Sequence, residues 1–205
     1  MSQFIRTFQL MRRKPVYVEP ALELSTDLVT LRPLGYADES TFIESLNRSR
    51  SDLRRWIPLE SKNQSSSDLF QDLVQRTIQG DLKQTSFRRA IFLNDSTFAG
   101  MVNLIKINRG LEWTAEVNWW IDSALVGRGI GSIALQTLID HALTDMPLGL
   151  GLHKVRAMIC LDNHASVRMA ERLGFSNSGQ SDLLRINDAL VNHHEFEVTV
   201  CPTTT

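Results

Sequence analysis

The segment Val126-Gly127-Arg128-Gly129-Ile130-Gly131-Ser132 constrains this chain more than any other, because it sets three glycines within five residues between two stretches of different periodicity. Before it, residues 115–121 (Ala-Glu-Val-Asn-Trp-Trp-Ile) read as a strand. After it, Ile130, Ala134, Leu135, Leu138, Ile139 and Ala142 recur at helical spacing and mark the buried face of a helix over 130–143. Glycines at such a junction let the backbone turn its amides inward at a helix N-terminus, where unpaired N–H groups and the helix dipole favour an anion such as a phosphate.

What is missing narrows the kind of phosphate loop. A nucleoside triphosphatase loop requires Gly-Lys-Ser/Thr, and no lysine precedes Ser132. A dinucleotide fingerprint G-x-G-x-x-G would need glycine at position 132, one residue beyond Gly131. The preceding strand, with Glu116, Asn118, Trp119 and Trp120, is also too polar and aromatic for the centre of a parallel sheet.

A second stretch, Asp162-Asn163-His164-Ala165-Ser166-Val167-Arg168-Met169-Ala170-Glu171-Arg172-Leu173-Gly174-Phe175, follows a strand-like run over 153–161 and reads as a short helix closed by Gly174. Together the two stretches resemble the GNAT acyltransferase superfamily. In that superfamily the loop Q/R-x-x-G-x-G/A cradles the pyrophosphate of acetyl-CoA, and a downstream N-x-x-S segment ending in E-K/R-x-G-F flanks the pantetheine and thiol. The Trp119-Trp120-Ile121 strand end and the run from Asn163 to Phe175 are most similar to the ribosomal-protein N-terminal acetyltransferase branch, of RimJ and RimL type. The resemblance spans residues 28–200. It implies an α+β fold, a mixed and mostly antiparallel twisted sheet flanked by helices. It also implies acetyl-CoA as the acyl donor with no metal, and a primary amine as acceptor, on a protein N-terminus or a small molecule. One position departs from the family pattern: Val126 stands where the loop usually begins with Gln or Arg, while Arg128 adds a cation within the loop.

The resemblance also distributes roles. Val126, Gly127, Arg128, Gly129, Ile130, Gly131 and Ser132 would hold the pyrophosphate, and backbone N–H groups of Trp120 and Ile121 would meet the pantetheine and thioester. Asn163 would stand beside the pantetheine, and Ser166 would hydrogen-bond the departing sulfur and relay a proton to it. Both also suit a purely structural role, because Asn is a favoured helix N-cap and Ser166 falls in the first turn that follows.

The base that accepts the amine proton is less legible. Where some members of the branch carry a carboxylate, this chain has Leu184 or Arg185. Glu116, on one strand face with Asn118 and Trp120 by alternation, is a candidate acting through a water, against a plain strand carboxylate paired at the surface. His193, His194 and Glu195 resemble a metal cluster, but adjacent histidines in a strand point to opposite faces and no third ligand is spaced to meet them; contact with the acceptor is the alternative reading. Trp56, in Arg54-Arg55-Trp56-Ile57-Pro58, belongs to the acceptor side, with core packing as its other reading.

Bulk properties bound the rest. With 205 residues, 42% hydrophobic content and no apolar run near the ~18 residues of a membrane span, the chain suits one soluble domain, read here as residues 21–205 behind a 1–20 extension. Two cysteines, Cys160 and Cys201, give no disulfide framework and fit a reducing, cytoplasmic setting. A net charge of −1 supplies no field for nucleic acid, so no nucleic-acid or membrane partner is expected and the chain is read as monomer or homodimer.

The element order predicts a strand over 28–31, helices over 37–47 and around 53–57, and a helix over 68–79 capped by Ser67 and stopped by Gly80. A hairpin over 86–93 and 97–106, the strand over 111–121, and final strands over 175–179 and 195–200 complete it. Two further functional readings remain open from the sequence: acetylation of a polyamine, amino acid or antibiotic, and a non-catalytic acyl-CoA-binding sensor.

Overall fold

The computed structural model describes residues 23–58 and 64–200. The 1–20 extension and Cys201 lie outside that range. The described chain runs β1 (Leu24–Ser25), β2 (Val29–Arg32), α1 (Glu39–Leu53), α2 (Ser66–Lys83), β3 (Phe87–Leu93), β4 (Phe98–Asn108), β5 (Thr114–Ile121), α3 (Ile130–Leu143), β6 (Lys154–Ile159), α4 (His164–Arg172), β7 (Ser176–Ile186) and β8 (Ala189–Thr199). The strands form a single sheet of order β1-β2-β3-β4-β5-β6-β8-β7. Every neighbouring pair is antiparallel except β5 and β6. The α+β, mostly antiparallel expectation holds.

Alternation along the strands sorts side chains into two cores, one on each sheet face. Phe87, Ile91, Ala115, Val117, Val155 and Ala157 meet Ile130, Ala134, Leu135, Leu138 and Ile139 of α3. On the other face Ala90, Phe92, Phe98 and Met101 meet Phe42 and Leu46 of α1 and Phe70 and Val74 of α2. Each fully buried Leu, Ile or Phe contributes about 1.5–3 kcal/mol of apolar transfer, so both helix layers are firmly docked.

Three elements differ from the sequence reading. The first helix, α1, runs on to Leu53, and in place of a second helix residues 54–57 form a hydrogen-bonded turn in which Trp56 and Ile57 N–H groups donate to the Leu53 carbonyl. α2 begins at Ser66, capped by Ser65 in a reciprocal box with Asp68, and continues through Gly80 to Lys83. Gly80 does not end that helix, because it is a close approach: a Cβ there would lie 1.9 Å from Ser86 Oγ, at the entry to β3. Finally, residues 180–194 are not a connector. They form most of the β7–β8 hairpin, paired from Ser181↔His194 to Ile186↔Ala189. β7 is an edge strand exposed along most of its length, so it lacks the apolar alternation by which a strand is recognised.

Candidate active site

β5 and β6 run parallel for only three pairs, Thr114↔Lys154, Ala115↔Val155 and Glu116↔Arg156, and then diverge. Each stays paired on its outer side, β5 with β4 to Ile121 and β6 with β8 to Ile159. The result is a V in the middle of the sheet, with one edge of β5 unpaired from Val117 onward. A cleft of about 710 Å³ occupies this V and continues to the first turns of α3 and α4. The polar, aromatic composition of the strand end follows: Asn118, Trp119, Trp120 and Ile121 line a cleft instead of filling the middle of a sheet.

On the side of the glycine loop the cleft is mainly backbone. Gly127 and Gly129 have φ of 83° and 78°, a left-handed conformation that favours glycine, and a Cβ on either would meet nothing within 4 Å. Their surroundings are therefore open above the N-terminus of α3, where the first intrahelical bond is Ile133 N–H to Gly129 carbonyl. The N–H groups of Ile130, Gly131 and Ser132 precede that bond and have no carbonyl of the helix to meet. Gly131 is small for another reason: a Cβ there would stand 3.0 Å from both Ile121 and Met169, the seam where α3, β5 and α4 meet. Val126, Gly127, Gly129, Ile130, Gly131 and Ser132 all line the cleft, while exposed Arg128 is absent from the lining.

α4 forms the adjoining wall. Asn163 caps it, its side-chain carbonyl accepting the Ser166 N–H at 3.2 Å, and both residues line the cleft. The two roles expected for Asn163, cap and cleft contact, coexist in one side chain. Arg168 and Arg172, one helical turn apart, also face the cleft. These cations were not singled out from the sequence, although their four-residue spacing beyond Asn163 carries the signal. An open amide cradle, flanking guanidinium groups and an unpaired strand edge fit an extended phosphorylated thioester.

The backbone assignment on β5 needs one correction. The Asp122 N–H donates to the Ala99 carbonyl on β4 at 2.9 Å. Alternation turns the Trp120 N–H toward β4 as well, opposite Met101, and leaves the Ile121 N–H facing the gap. Trp120 lines the cleft through its indole, which packs edge-on against Phe42 and tilted against Phe98 on the α1 and α2 face.

Glu116 lies below the point of divergence, in the last parallel pair. Its carboxylate is ion-paired with Lys106 at 2.7 Å and is not part of the cleft lining, so the structure separates it from Ser166 and the glycine loop. The paired-carboxylate reading describes it.

The opposite side, expected to meet the acceptor, is formed by side chains. Leu53, Trp56 and Ile57, from the end of α1 and its following turn, face Trp120, Met158, Cys160 and His193. Arg55 stacks over Trp56 at 5.1 Å, and the Asn187 amide in the β7–β8 turn donates to the Arg54 carbonyl at 2.8 Å, tying the hairpin to the end of α1.

An ion pair with one buried partner joins the two sides. Asp122, fully buried where β5 ends, accepts from Arg48 Nε at 3.0 Å and Nη2 at 2.6 Å, and from the Ala124 N–H at 2.9 Å. The Ser123 N–H donates to Ser49 Oγ at 2.9 Å. Burial alone would raise the Asp122 carboxyl, but these donors outweigh it and hold its pKa below the ordinary value. The turn leading into the glycine loop is thereby clamped to α1, the acceptor-side helix.

Among the described residues no group of three or more His, Cys, Asp or Glu could hold a metal ion, and no helix is long and apolar enough to cross a membrane.

With this geometry established, the family can be read from known proteins. The profile of the acetyltransferase (GNAT) domain matches residues 29–176. YdaF of Bacillus subtilis, which carries the name of a ribosomal N-acetyltransferase, is 27% identical over 172 residues, covering 82% of this chain and 87% of that protein. The spermidine N(1)-acetyltransferase of Vibrio cholerae is 26% identical over 151 residues, 74% of this chain and 80% of that enzyme. Mycobacterium smegmatis RimJ, solved in complex with CoA-disulfide, shares the fold with a TM-score of 0.75 at 20% identity, covering 84% of this chain and 82% of that one. The chain belongs to the GNAT acetyltransferase family and is an acetyl-CoA-dependent N-acetyltransferase.

Proposed function

We propose that the acceptor is the α-amino group of a protein or peptide N-terminus. The observation that carries this reading is the composition of the cleft: its described lining contains no Asp, Glu or Lys. An α-amine titrates near 7.8, so roughly a quarter of it is neutral at pH 7.4, whereas a lysine near 10.4 is about a thousandfold protonated. A site without a carboxylate base suits the amine that needs less help. The name of the YdaF relative supports a ribosomal protein as the source of that N-terminus.

In this reading Ser166 donates its hydroxyl hydrogen bond to the leaving sulfur, Ile121 offers a backbone N–H to the developing charge on the thioester oxygen, and Asn163 holds the pantetheine arm. The glycine loop with Arg168 and Arg172 neutralises the phosphates. Trp56 and Trp120 bound the acceptor chain.

A second reading, a polyamine acceptor, is favoured by the spermidine-acetylating relative. The cleft argues against it, because a polycation calls for carboxylates and the described lining has arginines. Acceptor-dependent CoA release across N-terminal peptides, spermidine and free amino acids tests the choice. Release with peptides at least tenfold above spermidine is expected; release with spermidine alone would reverse the assignment.

A further inference from the structure

We propose that His193 is the general base that takes the proton from the attacking amine, an inference that rests on the acceptor reading above. His193 is a strand residue only 4% exposed, yet it lines the cleft. Its Nδ1 lies 2.9 Å from the Val191 carbonyl. A carbonyl can only accept, so Nδ1 carries the hydrogen, and in the neutral ring the lone pair is on Nε2. The tautomer is therefore set by the strand itself, two residues back along β8.

Register places the ring on the correct side. The β6–β8 ladder ends at Ile159↔His194, which sets His193 level with Cys160, one residue beyond the last pair. Met158, Cys160 and His193 share the sheet face that Trp120 occupies on β5, opposite the face covered by α3. Ser166 reaches the cleft from α4, whose Val167, Met169 and Ala170 pack in the α3-side core, so an acid for the sulfur and a base for the amine enter from opposite faces of the sheet. Among the described lining residues, the other titratable groups are the Cys160 thiol and the Arg168 and Arg172 guanidiniums. The arginines remain protonated, which leaves His193 as the nitrogen base of the cleft.

The step balances without an oxidant or further reactant. The amine nitrogen forms the bond to the acyl carbon, its proton passes to Nε2, and the carbon–sulfur bond breaks with its electron pair on sulfur. Sulfur then takes a proton from the Ser166 hydroxyl, which solvent restores, and the imidazolium returns its proton to solvent. Charged groups surrounding the ring are Asp182, paired with it across β7, and Glu195 on the same face of β8, held by Arg156 at 3.8 Å.

The test compares wild type with His193→Gln and His193→Ala, using an N-terminal peptide as acceptor, from pH 6 to 9, with the acetyl-CoA Kd measured on each preparation. Expected is a loss of about 100-fold or more in kcat at pH 7. The acetyl-CoA Kd should stay within about twofold of wild type, the deficit should narrow as rising pH deprotonates the peptide amine, and added imidazole should partly rescue His193→Ala. A raised acceptor KM at unchanged kcat, or a loss equal at every pH with no rescue, overturns the base and makes His193 a contact or a packing residue. If the variants fail to fold, carbethoxylation of wild type decides. Inactivation in proportion to modification mapped at His193, and slowed by peptide, supports the base; full activity of modified protein overturns it. Wild type that binds acetyl-CoA but releases CoA with spermidine and never with peptides removes the acceptor reading, and the proposal with it.

Discussion

The donor and acceptor sides of the cleft meet at the same divergence of β5 and β6, but they are made of different material. On the side proposed for the donor the lining is the glycine loop and the free edge of β5, supported by the packing of Ile130, Ala134 and Leu135. On the acceptor side they come from Leu53, Trp56, Trp120, Met158 and His193, contributed by α1, β5, β6 and β8. A backbone site accepts few substitutions, because what it presents is conformation; a side-chain site changes specificity by replacing one residue at a time. In the proposed reading the chain keeps a fixed donor site and a tunable acceptor site within one cavity.

The largest expected effect breaks the donor side alone. Gly129→Glu forces a side chain onto a left-handed backbone, costing about 1–3 kcal/mol, and puts a carboxylate where phosphates belong. Acetyl-CoA affinity should fall about 100-fold or more by isothermal titration, while thermal unfolding still shows a folded protein.

Ser166→Ala separates chemistry from binding on the same side. Its kcat should fall by up to about 100-fold with the KM for acetyl-CoA nearly constant, read by CoA-thiol release. An unchanged kcat would reduce Ser166 to a first-turn residue of α4.

Asp122→Asn tests the joint between the two sides. Removing the buried charge leaves Arg48 with Glu44 as its ion-pair partner at 3.2 Å, and Arg48 is 43% exposed so water compensates in part; a loss of about 1–3 kcal/mol in chemical denaturation is expected. The pH dependence has a definite sign. Because the native Asp122 pKa is depressed, its stabilisation is complete above the unfolded value near 4 and is lost as pH falls through the lower native value. The variant should lack that part of the acid-unfolding profile.

Trp56→Ala is the smallest of the four and confined to the acceptor side. The acceptor KM should rise about tenfold while acetyl-CoA affinity stays put. A matching loss of acetyl-CoA affinity would show that the two sides are not separable.

The same contrast explains what the sequence made legible. Gly127, Gly129 and Gly131 announce the donor side because backbone that must be bare can be supplied by few residues, and the order strand, loop, helix is local. The helix bounds 130–143 were read correctly for this reason. The acceptor side assembles residues separated by as much as the interval from Leu53 to His193, and nothing local marks them as neighbours. His193 had a weak signal, since its partner carbonyl is two residues away but its cleft is made by β5 and β6. Glu116 had the right strand and the right face but lies too far down β5, a position decided by where the parallel pairing stops. The β7–β8 hairpin was hidden because an exposed edge strand such as Gln180-Ser181-Asp182 carries no apolar period.

The most direct test of the central claim is to map the acetylated nitrogen on a peptide bearing both a free α-amine and an internal lysine, incubated with the enzyme and acetyl-CoA at pH 7.4. The account predicts acetylation at the α-nitrogen, at least tenfold over the lysine. Modification of the lysine alone, or CoA release only when spermidine replaces the peptide, would contradict it.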